Sequence, residues 1–185
     1  MKFIASGLAA ATLASAASAD ITINLTNQTF VGLNFNQIMD YAGGREAVGT
    51  LTGLSINMTL NASAGFAYGD DICIYVDPLP LDLGGRLQVG GFSNLQAAQR
   101  LFWPNGGSSA PGTTVTGTVN LNTALAFIGN DAVDGVIWIG NGYGGSGSSG
   151  TWTGTITLIG IDEVPAPGAL ALLGVAGLSA RRRRR

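Results

Sequence analysis

Residues 151–158 read Thr-Trp-Thr-Gly-Thr-Ile-Thr-Leu, an alternation of threonine with mostly larger apolar residues. Successive side chains leave opposite faces of a β-strand, so a period of two predicts a half-buried strand. One parity is expected to face the core: Trp152, Ile156 and Leu158. The other parity is expected to face solvent: Thr151, Thr153, Thr155 and Thr157.

The same alternation recurs along the chain and predicts further strands. It is clearest at Ile21, Ile23 and Leu25, at Leu54, Ile56, Met58 and Leu60, and at Ile72, Ile74 and Val76. Val115, Val119 and Leu121 also share one parity, and residues 135–139 form an apolar run typical of a central strand. Glycine-rich stretches separate these segments, which predicts an all-β fold, an antiparallel β-sandwich. Short helical pieces are expected only near 35–41 and 93–100.

The composition of the 185-residue chain excludes several kinds of active site. There is no histidine, so a Ser-His-Asp or Cys-His system and imidazole metal ligands are excluded. The single cysteine, Cys73, forms neither an intrachain disulfide nor a cysteine-rich zinc site. Lys2 is the only lysine.

The N-terminus has the pattern of a secretory signal peptide, residues 1–19. Lys2 supplies a positive charge, residues 3–16 are free of charge, and Ala17-Ser18-Ala19 gives small residues at the cleavage positions Ala17 and Ala19. We therefore expect an N-terminal signal helix, removal by signal peptidase, and export.

The C-terminus has three parts within residues 164–185. Val164, Pro165, Ala166 and Pro167 come first, followed by an apolar stretch at 168–180. The chain ends in five arginines: Arg181, Arg182, Arg183, Arg184 and Arg185. A 13-residue helix spans about 20 Å of a hydrocarbon core about 30 Å thick, so the stretch suits a transient anchor with its arginines in the cytoplasm.

This tail resembles the PEP-CTERM sorting signal, with Ala166 where that family usually has glutamate. The resemblance implies processing by an exosortase-type enzyme, transient anchoring in the inner membrane through a short hydrophobic helix, and delivery to the cell surface or extracellular matrix. It also implies a producer that makes exopolysaccharide.

Residues 20–163 are expected to form one domain. This region retains Arg45, Arg86 and Arg100 and all 11 acidic residues, which leaves a net charge of −8. Nucleic acids and anionic membranes bind positive surfaces, so neither is an expected partner of the domain. Residues 68–76, 86–90 and 150–158 are similar to jelly-roll domains of the proprotein-convertase P-domain and galactose-binding-like type. That similarity implies a noncatalytic accessory sandwich, in some cases with structural calcium.

Two groups of residues are candidates for a binding site. Asp70, Asp71 and Asp77 lie before and after one predicted strand and could supply oxygen ligands to calcium; the alternative is that they are solvated turn residues. Trp103 and Tyr143 adjoin flexible turns and are candidates for an exposed platform that stacks on sugar rings; the alternative is that they cap the core.

We interpret the chain as an exported, noncatalytic surface or matrix protein, and no residue is assigned a catalytic role. The alternative is a carbohydrate-binding module for exopolysaccharide. A secreted glycosidase is a third possibility, because carboxylate pairs perform that chemistry.

Overall fold

The computed structural model describes residues 20–38, 46–77, 84–129 and 134–164. Nine strands and one 3-10 turn, Gly69–Asp71, lie wholly within these residues. The strands are β1 (Ile21–Val31), β2 (Phe35–Gln37), β3 (Glu46–Ala64), β4 (Ile72–Asp77), β5 (Leu87–Val89), β6 (Gln99–Leu101), β7 (Thr113–Ile128), β8 (Val136–Asn141) and β9 (Ser149–Val164). The prediction of an all-β fold is confirmed. The predicted terminal helices, with Ala17, Ala19, Pro165, Ala166, Pro167 and Arg181 to Arg185, lie outside the described residues.

The strands form two sheets. One has four strands in the order β1-β9-β3-β7, and the other has five in the order β2-β8-β4-β5-β6. The described pairs are antiparallel except β5 and β6, which run parallel. The prediction of a purely antiparallel fold is therefore wrong for this one pair.

The helix predicted near Ser93 to Arg100 is absent. Gln96 has a positive φ of 62°, which interrupts a right-handed helix. The buried side-chain amide of Gln88 instead fixes the loop: Nε2 donates to the carbonyls of Gly90 and Ser93, and Oε1 accepts from the N–H of Leu95. The loop then leads directly into β6.

The prediction of a helix near Phe35 to Tyr41 is also wrong for the residues that the structure describes, 35–38. Phe35–Gln37 is a strand that pairs with β8, placing Phe35 opposite Gly140 and Gln37 opposite Trp138. The short segment gains its hydrogen bonds from the neighbouring sheet, which local sequence does not reveal. Residues 39–41 lie outside the described part.

One hydrophobic core is shared by both sheets. It takes Leu54, Met58 and Trp152 from the first sheet and Ile74 and Ile139 from the second. The two sheets thus bury their facing sides against each other, as in a two-layer β-sandwich.

The predicted orientation of β9 is confirmed. Trp152, Ile156 and Leu158 are each 0% exposed, whereas the four threonines of the other parity are partly exposed. The hydroxyls of Thr151 and Thr29 lie 2.7 Å apart across the strand pair.

β7 lies at the outer edge of the four-stranded sheet, and two side-chain amides bond to its backbone. Gln99 donates to the carbonyl of Thr123 at 2.7 Å and accepts from its N–H at 2.9 Å. Asn105 makes the same pair of bonds with Thr116, each at 3.0 Å. Each amide thus occupies both backbone groups of one residue on this strand.

Candidate functional site

A cleft of about 260 Å³ opens where the segments that follow β3, β5, β6 and β8 meet. We call it the aromatic cleft, because most of its lining is aromatic: Phe66, Tyr68, Asp70, Asp71, Gly91, Phe92, Phe102, Trp103 and Tyr143. Concave sites with apolar walls and a few convergent polar groups are the usual form of small-molecule sites.

Three phenylalanines of the cleft are exposed to solvent. Phe66 and Phe92 are each 75% exposed, and Phe102 is 59% exposed. Phe66 has a positive φ of 63°, an uncommon backbone conformation for a bulky residue. A cluster of exposed aromatic rings around a cavity is typical of a surface that binds a partner or ligand.

Asp71 holds two walls of the cleft together. Its Oδ2 accepts from the N–H of Tyr68 at 2.7 Å, and its Oδ1 accepts from the N–H of Phe92 at 3.1 Å. The side chain is buried, and burial, together with repulsion from Asp70, raises its pKa to about 6 against the lowering effect of these two bonds. Both carboxylate oxygens are thus committed to backbone groups.

Asp70 is the more accessible carboxylate of the cleft. It is partly buried, and this desolvation raises its pKa, while its own backbone N–H opposes the shift. No side chain of the described residues forms a hydrogen bond or ion pair with it. Asp70 can therefore accept hydrogen bonds from a bound molecule.

Arg100 supports two of the exposed rings. Its guanidinium group donates to the carbonyl of Phe92 and lies over the ring of Phe102, 4.9 Å from the centroid. The distance suits a cation–π interaction. Arg100 thus fixes the positions of Phe92 and Phe102 and does not itself line the cleft.

Trp103 and Tyr143, the two aromatic residues predicted from the sequence, both line this cleft. Tyr143 is partly exposed, and its ring meets the ring of Phe92 edge to face at 6.1 Å. Trp103 is only 4% exposed, and its indole N–H donates to the carbonyl of Ile72 at 2.6 Å. The expectation that Trp103 is an exposed platform is therefore wrong: the indole N–H needs an acceptor, and the core supplies one.

The three aspartates predicted as calcium ligands do not share one site. Asp70 and Asp71 precede β4 and Asp77 ends it, and six residues of strand separate Asp71 from Asp77 by about 20 Å. Asp77 is buried and accepts a hydrogen bond from the hydroxyl of Tyr75 at 3.0 Å. Within the described ranges, no group of three or more His, Cys, Asp or Glu residues is placed to hold a metal ion.

The sequence analysis did not select the three exposed phenylalanines of the cleft, Phe66, Phe92 and Phe102, or Arg100 beside them. Phe66 is the second residue after β3, Phe92 follows Gly90 and Gly91 after β5, and Phe102 directly follows β6. An aromatic residue within three positions of a strand end is a weak indication of a binding site, and it could have identified all three phenylalanines.

Comparison with protein-family models, curated proteins and solved structures finds no match for the chain. The resemblance of residues 164–185 to a sorting signal therefore stays a prediction. In the part of the chain that the structure describes, no helix has the length and apolar character needed to cross a membrane.

Proposed function

We propose that this chain is an exported, noncatalytic surface or matrix protein whose aromatic cleft binds a saccharide. The observation that carries the binding part is the cleft itself, with three exposed phenylalanines around an accessible carboxylate. The export part rests on the sequence patterns of the two ends.

Saccharide binding accounts for both kinds of group in the cleft. Aromatic faces pack against the C–H faces of sugar rings and remove apolar surface from water. A carboxylate such as Asp70 accepts hydrogen bonds from hydroxyl groups and fixes the orientation of the ring. Phenyl rings that stay mostly in contact with water gain little from folding, so ligand binding gives them a role that folding does not.

The arrangement favours binding over glycoside hydrolysis. Hydrolysis uses two carboxyl groups, one as the acid and the other as a base or nucleophile. Both oxygens of Asp71 accept backbone hydrogen bonds, and the residue is 4% exposed. Of the two carboxyl groups in the described lining, a substrate in the cleft would thus reach Asp70 but not Asp71.

The strand order supports a jelly-roll assignment. Without the three-residue β6, the remaining eight strands counted in chain order lie 1-8-3-6 in one sheet and 2-7-4-5 in the other. Jelly rolls consist of eight strands in two sheets, built from two Greek keys. In this assignment β6 is an added edge strand.

The export proposal predicts that the protein outside the cytoplasm lacks residues 1–19 and the C-terminal tail. Val164 is the last residue of β9 and lies opposite Glu46, so the exosortase-type cut should fall beyond it. Intact-mass spectrometry of surface material from the producing cells measures both ends. A dominant species that still contains Met1 or Arg185 would contradict the corresponding half.

The binding proposal predicts that Phe92→Ala weakens saccharide binding about tenfold, or about 1.4 kcal/mol. Only the ring is lost, because the contacts of Phe92 to Asp71 and Arg100 use its backbone. The assay is retardation of the exported protein in gels containing the polysaccharide secreted by the same cells, followed by a glycan array.

Ile128→Ala is the matched control, because Ile128 is 65% exposed and does not line the cleft. Its binding should equal that of the wild type. Equal losses in both variants, or no retardation by any polysaccharide, would overturn the proposal that the cleft binds saccharide.

A further inference from the structure

The polar groups that the aromatic cleft presents to a ligand are mainly acceptors. Asp70 offers carboxylate oxygens, whereas the backbone N–H groups of Tyr68 and Phe92 already donate to Asp71. The exposed phenyl rings neither donate nor accept. In the described part of the lining, the hydroxyls of Tyr68 and Tyr143 are the side-chain donors that remain, because the indole N–H of Trp103 donates to Ile72.

The charges that line the cleft also favour a ligand that donates hydrogen bonds, because they are negative. Among the described residues, Asp70 and Asp71 are the only charged ones that line the cleft, and Arg100, which donates to the carbonyl of Phe92 and lies over the ring of Phe102, is not part of the lining. Phenyl faces attract cations through their quadrupole, so the rings of Phe66 and Phe92 and the carboxylate of Asp70 favour the same kind of group. An ammonium group, which donates and cannot accept, complements this lining.

We propose that the saccharide bound in the aromatic cleft carries a protonated amine, as in a polymer of glucosamine with free amino groups. The ammonium lies against Asp70, and the sugar ring packs against the phenylalanines. This inference rests on the proposed saccharide-binding function and specifies its ligand class.

Three oligosaccharides of equal length test the inference: a glucosamine oligomer, its N-acetylated form, and a neutral glucose oligomer. Binding to the exported protein is measured by calorimetry at low salt, at a pH where carboxylates are ionised and the amine is protonated. The glucosamine oligomer should bind at least about tenfold more tightly than the other two. Added salt should reduce this difference, because it screens exposed charge pairs.

Asp70→Asn should abolish the preference for the amine and leave the affinity for the N-acetylated oligomer within about threefold. Glu163→Gln removes the same charge from an exposed position near the end of β9 and should keep the preference. Thermal melts of both variants establish that each is folded.

The outcomes separate the two proposals. If all three oligosaccharides bind equally, or Asp70→Asn retains the preference, the amine inference is wrong and saccharide binding stands. If none of them binds while the secreted polysaccharide does, the amine inference is again wrong. If nothing binds, both proposals fail together.

Discussion

Replacing Trp152 by alanine should lower the free energy of unfolding by about 3–5 kcal/mol, the range for truncating a buried tryptophan. The Trp152 side chain is 0% exposed, and its ring centroid lies 6.2 Å from that of Phe30. Its indole N–H donates to the carbonyl of Gly69 at 3.1 Å. Since small domains have only about 5–15 kcal/mol of total stability, this change should remove a large share of it. Denaturant melts measure it.

Thr155→Ala is the control on the opposite face of the same strand. Thr155 is partly exposed, and the change should cost about 1 kcal/mol or less. Equal losses in the two variants would mean that the core does not depend on the indole. The Trp152 change should also disturb the cleft, because Gly69 begins the 3-10 turn that carries Asp70 and Asp71.

Gly90→Ala should cost about 3 kcal/mol, the second largest effect expected. Gly90 has a φ of +80°, and an added Cβ would overlap both the carbonyl oxygen of Ile72 and the indole nitrogen of Trp103. These two atoms form a buried hydrogen bond of 2.6 Å. The left-handed conformation costs an alanine about 1 kcal/mol, and overpacking adds about 1–3 kcal/mol.

Gly32→Ala separates the two contributions. Gly32 also has a positive φ, of 56°, but an added Cβ would meet no atom within 4 Å. Gly32→Ala should lower the free energy of unfolding by about 1 kcal/mol, from the backbone conformation alone. If denaturant melts showed the same loss of stability for Gly90→Ala as for Gly32→Ala, the expected overlap of the added Cβ with Ile72 and Trp103 would be contradicted.

Strand periodicity predicted the large features of the fold, because burial on one face leaves a period of two in the sequence. β9 was predicted with the correct parity for this reason. In β4, Ile72, Ile74 and Val76 do join the main core, but the strand is buried on both faces and not half-buried as predicted. β2 and β6 were not, since each has three residues and owes its hydrogen bonds to a neighbouring strand. The parallel pairing of β6 further depends on the buried amide of Gln88, which no local pattern reveals.

The candidate site was only partly predictable. Trp103 and Tyr143 were selected because glycine-rich turns flank them, and both line the cleft. Phe66, Phe92 and Phe102 were missed because their exposure depends on how separate segments meet. The aspartates were grouped by closeness in sequence, but an extended strand carries Asp77 about 20 Å from Asp71.

The side-chain amides of Gln99 and Asn105, which bond to the backbone of β7, affect how copies of this protein behave when they are crowded together. An outermost strand with free N–H and C=O groups is a template for adding a strand from another molecule, which leads to aggregation. At Thr116 and Thr123 those groups are already bonded. Crowded copies of this protein thus meet a 16-residue edge strand whose backbone is interrupted at two positions against the addition of further strands.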